Sequence, residues 1–165
     1  MNLQLSQVIS FVALIVSALS LLISFAPNEL RCSIGLPAES CSHCVSVNSQ
    51  NGWRKFELYD SYKKVKTTNG DWSVDHEDYS RVDASGHTQV EEDKLKPHED
   101  LKYDSQFPFG ALLINFDDPQ SVHDPQLVKV GKPFPNSVNS LYLRINDSDR
   151  ALEDNKGSID VCFSK

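Results

Sequence analysis

Leu3 to Ala26 carries no charged residue, and this one stretch decides how the chain can be organised. A helix crossing the hydrocarbon core of a bilayer needs about 20 consecutive apolar residues. The run Val8-Ile9-Ser10-Phe11-Val12-Ala13-Leu14-Ile15-Val16 and its continuation to Ala26 supply them, and Pro27 ends the helix. A cleaved signal peptide would want a basic start and a small-x-small cleavage site. Met1-Asn2-Leu3-Gln4 has neither Lys nor Arg, and Pro27 follows Ala26. The expectation is a retained transmembrane anchor over 1–27, a Cys- and Ser-rich stalk over 28–50, and one domain over 51–165.

The remainder is polar. The formal net charge of the 165-residue chain is -7, which argues against a nucleic-acid partner, because phosphate binding needs a positive patch. Arg31 is the only positive charge close to the anchor and favours a cytoplasmic domain. The cysteines favour the opposite side. Cys32, Cys41, Cys44 and Cys162 are even in number behind an apolar leader, the pattern of two disulfides in an extracytoplasmic domain. Three connectivities are open. Free thiols, zinc and redox chemistry at Cys41-Ser42-His43-Cys44 are the competing readings. We weight the disulfides more, so the globular part is expected outside the cytoplasm.

From Trp53 onward the pattern is short runs with a period of two, the mark of strands. Trp53–Tyr59 and Tyr62–Thr67 alternate loosely. Asp71–Gln106 is acidic, poor in aliphatic residues, and reads as a long surface excursion. Phe109–Phe116 reads as a buried strand, and Gln126–Val130 follows. In Ser140–Asn146 one face holds Leu141, Leu143 and Ile145; in Ser158–Ser164 one face holds Ile159, Val161 and Phe163. The fold expected from these strands is all-β, a β-sandwich.

The last two strands are joined by a loop rich in oxygen donors, Asn146-Asp147-Ser148-Asp149-Arg150-Ala151-Leu152-Glu153-Asp154-Asn155-Lys156-Gly157. Calcium takes six to eight oxygens from carboxylates, amides and carbonyls. The spacing is not that of an EF-hand, and a plain hairpin loop uses the same residues for their turn conformations.

Taken in order, Phe109-Gly110-Ala111-Leu112-Leu113, Val130-Gly131, Leu141-Tyr142-Leu143-Arg144-Ile145-Asn146-Asp147 and Asp154-Asn155-Lys156-Gly157-Ser158 resemble the PA-I type (LecA-like) galactose-binding lectins. The resemblance covers about residues 60–165. It implies a sandwich of the galactose-binding-domain-like, jelly-roll type and one calcium ion bridging protein and sugar hydroxyls. The implied calcium ligands are Asp147, the carbonyl of Ala151, Asp154, Asn155 and a carbonyl near Asp75. The implied sugar contacts are Asp147, Asp154 and Asn155, joined by His98 and Asp100 of Pro97-His98-Glu99-Asp100. Where the family carries Asn, this chain has Asp154, preceded by Glu153, which adds negative charge. Trp72 and Tyr79 are the nearest aromatic residues for stacking on a sugar, with core packing as the ordinary fate of a Trp.

No nucleophile sits in a recognisable elbow. His43, His76, His87, His98 and His123 are scattered in polar segments, most of them expected to be exposed, and Glu91-Glu92 reads as part of a solvated charge run. The leading expectation is therefore a membrane-anchored, non-enzymatic domain that takes a galactose-type or other glycan through calcium. A homo-oligomer is compatible with it. The alternative is a protein-interaction or structural domain in which calcium only stabilises the loop.

Overall fold

The computed structural model describes residues 43–165. The expected anchor, Cys32 and Cys41 lie outside the described residues. Among the described residues no helix is long and apolar enough to cross a membrane.

The domain is mostly β-sheet. Its strands are β1 (His43–Asn48), β2 (Arg54–Ser73), β3 (Leu112–Asn115), β4 (Gln126–Leu127), β5 (Pro133–Ile145) and β6 (Lys156–Ser164). A short helix, α1 (Gln89–Leu95), runs into a 3-10 segment at Lys96–Leu101, and a 3-10 turn at Leu152–Asp154 precedes β6. Among the described residues the strands form one sheet in the order β1-β6-β2-β5-β3-β4, with antiparallel pairing throughout.

β2 organises this sheet. Its start, Arg54–Glu57, pairs with Ser140–Leu143 of β5, whereas Lys64–Ser73 pairs with β6. Register shifts between Glu57 and Tyr62, between Tyr62 and Lys64, and between Val65 and Thr67 lie where β2 changes its principal neighbour. Bulges of this kind bend a strand and increase its twist.

The alternation read from the sequence sets the core. Leu141, Leu143 and Ile145 of β5 and Ile159, Val161 and Phe163 of β6 are all fully buried in one cluster with Val47, Val65, Trp72 and Leu112. Each such side chain stabilises the fold by about 1.5–3 kcal/mol relative to exposure.

Two expectations are corrected, and the disulfide reading is borne out for Cys44 and Cys162. The stalk assigned to 28–50 contains β1, which pairs along its whole length with β6, so the sheet begins before residue 51. Cys44 lies opposite Cys162 in that pairing and forms a disulfide with it, which removes Cys44 from a CxxC pair with Cys41. The stretch Asp71–Gln106 is no mere surface excursion: Trp72, Val74, Ala84, His87, Leu95 and Asp104 are buried. Its polar character misled because a few of its acids are used internally. Glu92 accepts from the Phe109 backbone N–H (3.0 Å) and pairs with Lys102 (2.9 Å), while Glu91 lies 3.0 Å from buried His87 and accepts from Ser80 (2.6 Å).

Candidate functional site

The site is built from the end of β5, the loop to β6, and the turn after β2. β5 closes with Asn146, which is fully buried. Its Nδ2 faces the carbonyls of Asp104, Phe107 and Pro108 at 2.9–3.0 Å, and its Oδ1 accepts from the Asp104 N–H at 2.9 Å. This one amide fastens the 104–108 segment to the strand end and fixes where the next residue starts.

That residue is Asp147, 1% exposed. Oδ1 accepts from the Ser148 N–H and Oδ2 from Asn155 Nδ2, both at 2.8 Å. Burial pushes its carboxyl up to about 7, against the opposing pull of those two hydrogen bonds, and the neighbouring charge of Asp154 adds to the rise. Asp154 is also raised, first by desolvation and then by the charge of Asp75. The buried carboxyl of Asp147 thus faces the like charge of the exposed Asp154, an arrangement that favours either a proton on Asp147 or a cation.

Asn155 is fully buried. Its Nδ2 faces two oxygens, Asp147 Oδ2 and, at 3.3 Å, the carbonyl of Ser49. The amide orientation follows: the nitrogen must take that side, so Oδ1 points away, and it is buried with no hydrogen-bond partner. A buried acceptor without a donor costs about 1–3 kcal/mol.

The turn after β2 completes the site. Asp75 Oδ1 accepts from the N–H groups of Glu77 (3.0 Å) and Asp78 (3.3 Å), the way an Asp side chain makes a turn. The His76 N–H donates to the Asp154 carbonyl at 3.3 Å, and His76 Nδ1 lies 2.6 Å from the same oxygen. The turn is therefore held against the β5–β6 loop.

Between them lies a pocket of about 180 Å³, lined by Asp75, Asp147, Ala151 and Asp154 with His98 and Tyr79, and walled by Val74, Leu95, Leu101 and Phe109. Of the expected ligands, Asp75, Asp147, Ala151 and Asp154 meet here, and Asn155 binds Asp147 from beside it. His98 lines the pocket. Asp100 does not line it, and its carboxylate pairs with Arg150. Trp72 is a core residue, fully buried, with Nε1 donating to the Gly110 carbonyl at 2.6 Å; Tyr79 lines the pocket together with Phe109. Asn146 and Arg144 were not singled out by the sequence, although a polar pair flanking Ile145 in an apolar strand was the available signal.

Among the described residues, no three His, Cys, Asp or Glu side chains cluster as a metal site. A donor set of two carboxylates, one amide oxygen and two carbonyls needs no such triple. The carboxyls of Asp147 and Asp154, both raised and both lining the pocket, are oxygen donors of the kind a hard cation takes, whereas Asn155 does not line it. By sequence, the chain matches no family model and no curated protein.

Proposed function

We propose that this chain is a carbohydrate-binding domain that uses a calcium ion to bridge sugar hydroxyls, held at a membrane by the Leu3–Ala26 segment. The supporting observation is the pocket that brings Asp75, Asp147, Ala151 and Asp154 together around the raised carboxyl of Asp147. Asp147, Asp154 and Asn155 would hold the ion through their side chains, and Ala151 and Asp75 through their carbonyls. When bound, calcium supplies open coordination for a pair of neighbouring hydroxyls.

The protein's own groups do the rest. Asp147 and Asp154, ionised, accept hydrogen bonds from those hydroxyls. His98 at the pocket offers a ring nitrogen to a further hydroxyl. Tyr79, Leu95 and Phe109 cover the apolar face of a sugar. A pocket of about 180 Å³ takes only a small ring, so monosaccharide affinity is modest and tight binding requires several sites acting together. In this reading the sheet, bent at the β2 bulges, closes over its core as a β-sandwich.

Retention on a galactose matrix tests the proposal. The protein in mild detergent is retained in calcium and released by EDTA or free galactoside, and Asp154→Ala is not retained. Retention that survives EDTA, or a wild-type protein that passes through matrices of galactose, mannose and fucose alike, contradicts it.

A further inference from the structure

Arg144 sits on β5 between Leu143 and Ile145, and all three are fully buried. A guanidinium is expensive to bury unless its donors and its faces are occupied. Those of Arg144 are occupied by the β5–β6 loop and the segment before it. Nε donates to the Ile145 carbonyl at 3.0 Å, Nη2 donates to the Asp147 carbonyl, and Nη2 pairs with Asp149 at 2.9 Å. Its carbon centre lies 3.8 Å from the ring centre of Tyr103 and 5.7 Å from that of Trp53.

One of these contacts reaches the main chain of Asp147. The Asp147 carbonyl is held by Arg144, and its carboxylate by Ser148 N–H and Asn155 Nδ2. With the carbonyl held on the Arg144 side, the carboxylate is left to the pocket. Tyr103, which carries the guanidinium, follows the 3-10 segment Lys96–Leu101 that holds His98. That segment is tied to the same loop where Ser148 N–H donates to the Leu101 carbonyl at 2.6 Å and where Arg150 pairs with Asp100.

We propose that Arg144 is a positioning residue: its fork holds the Asp147 carbonyl while its stack on Tyr103 fastens the His98 segment to the same loop. Lysine cannot reproduce this, because it lacks a planar face and a fixed pair of donors. The proposal rests on the calcium reading for its binding readout and on loop order for a readout independent of calcium.

The test compares the full chain in detergent with Arg144→Met, Arg144→Lys and Tyr103→Leu, the last removing the stack without touching the fork. Amide hydrogen exchange in EDTA reads loop order, and calorimetry reads calcium affinity. In Arg144→Met, exchange at Ser148–Ala151 accelerates while β6 amides keep their protection. Its calcium Kd rises by about 10–100-fold, the usual scale for losing a group that supports a metal ligand. Arg144→Lys recovers part of the affinity, and Tyr103→Leu gives a smaller loop-confined change. Unchanged loop exchange in Arg144→Met overturns the proposal, as does acceleration spread evenly over β6 with an unchanged Kd, the pattern of a merely structural residue. If Arg144→Met does not fold, Tyr103→Leu decides by the same criteria. If the wild type binds no calcium yet the variants loosen only the loop, the positioning role stands and the calcium reading falls.

Discussion

Asn155 gives its Nδ2 to Asp147 Oδ2 at 2.8 Å and keeps its own Oδ1 buried without a donor. The amide thus steadies a carboxylate that lines the pocket while leaving its own oxygen unsatisfied. Asn155→Ala removes a donor from the buried carboxylate of Asp147. Without calcium, the lost donor costs up to about 1–3 kcal/mol, less what removing the unsatisfied Oδ1 returns, so the net destabilisation is expected at the low end of that range. Calcium, if it binds the wild type as proposed, restores little of that loss, because an oxygen ligand has gone with the donor. Chemical denaturation of both proteins in EDTA and in calcium measures this; equal calcium gains in the two contradict the role given to Asn155.

The raised carboxyl of Asp147 makes stability depend on pH, with a sign that can be worked out. Its folded value is about 7 and its ordinary value is 3.8. Between these, the folded state keeps a proton that the unfolded state has released. Stability from this group is therefore greatest at low pH and is lost as pH rises from about 4 to about 7, at roughly 1.4 kcal/mol per unit of pKa difference. In Asp147→Asn that decline is absent. Proposed calcium binding runs the other way, tightening up to about tenfold per pH unit until Asp147 is ionised and then levelling. Melting curves over this range in EDTA read the first effect and calorimetry reads the second; an apo protein that gains stability between pH 5 and 7 through Asp147 contradicts the assignment.

The Cys44–Cys162 disulfide joins positions 118 residues apart. Closing a loop of this size restricts the unfolded chain, and the double substitution Cys44→Ser, Cys162→Ser is expected to cost about 2–5 kcal/mol. Because the bridge lies in the β1–β6 pairing rather than at the pocket, affinity of the folded double variant for calcium stays within about twofold, in line with the near-additivity of distant sites. A large change in affinity at unchanged protein folding shows that β1 acts on the site.

Legibility in the sequence followed burial pattern. Strands β5 and β6 were readable because their alternate residues, from Leu141 to Ile145 and from Ile159 to Phe163, are apolar and fully buried. β1 was hidden because Val47 is its one fully buried apolar side chain and the rest of His43–Asn48 looks like stalk. α1 was hidden for a similar reason: within Gln89–Leu95 only Leu95 is buried, so no helical period could appear. His87 was read with the exposed histidines, yet it is buried against Tyr79 and Glu91, a partnership made by folding. At the pocket, the 147–155 loop stood out by its oxygen donors, and Asp75 came from the family resemblance. Arg144 showed only as a polar residue in an apolar strand; its role was not readable, because Trp53 and Tyr103, which cover it, are far away in the chain.

The central claim is that the Asp147 pocket takes calcium. Thermal unfolding of the full chain in detergent, with EDTA, with calcium, and with calcium plus galactoside, tests it most directly. A ligand at about a hundred times its Kd that binds only the folded state adds about 2.7 kcal/mol. The account predicts a clear upward shift with calcium, a further shift with the sugar, and neither in Asp147→Ala. A wild-type melt that is the same in EDTA and in millimolar calcium contradicts it and leaves the 147–157 loop as a turn.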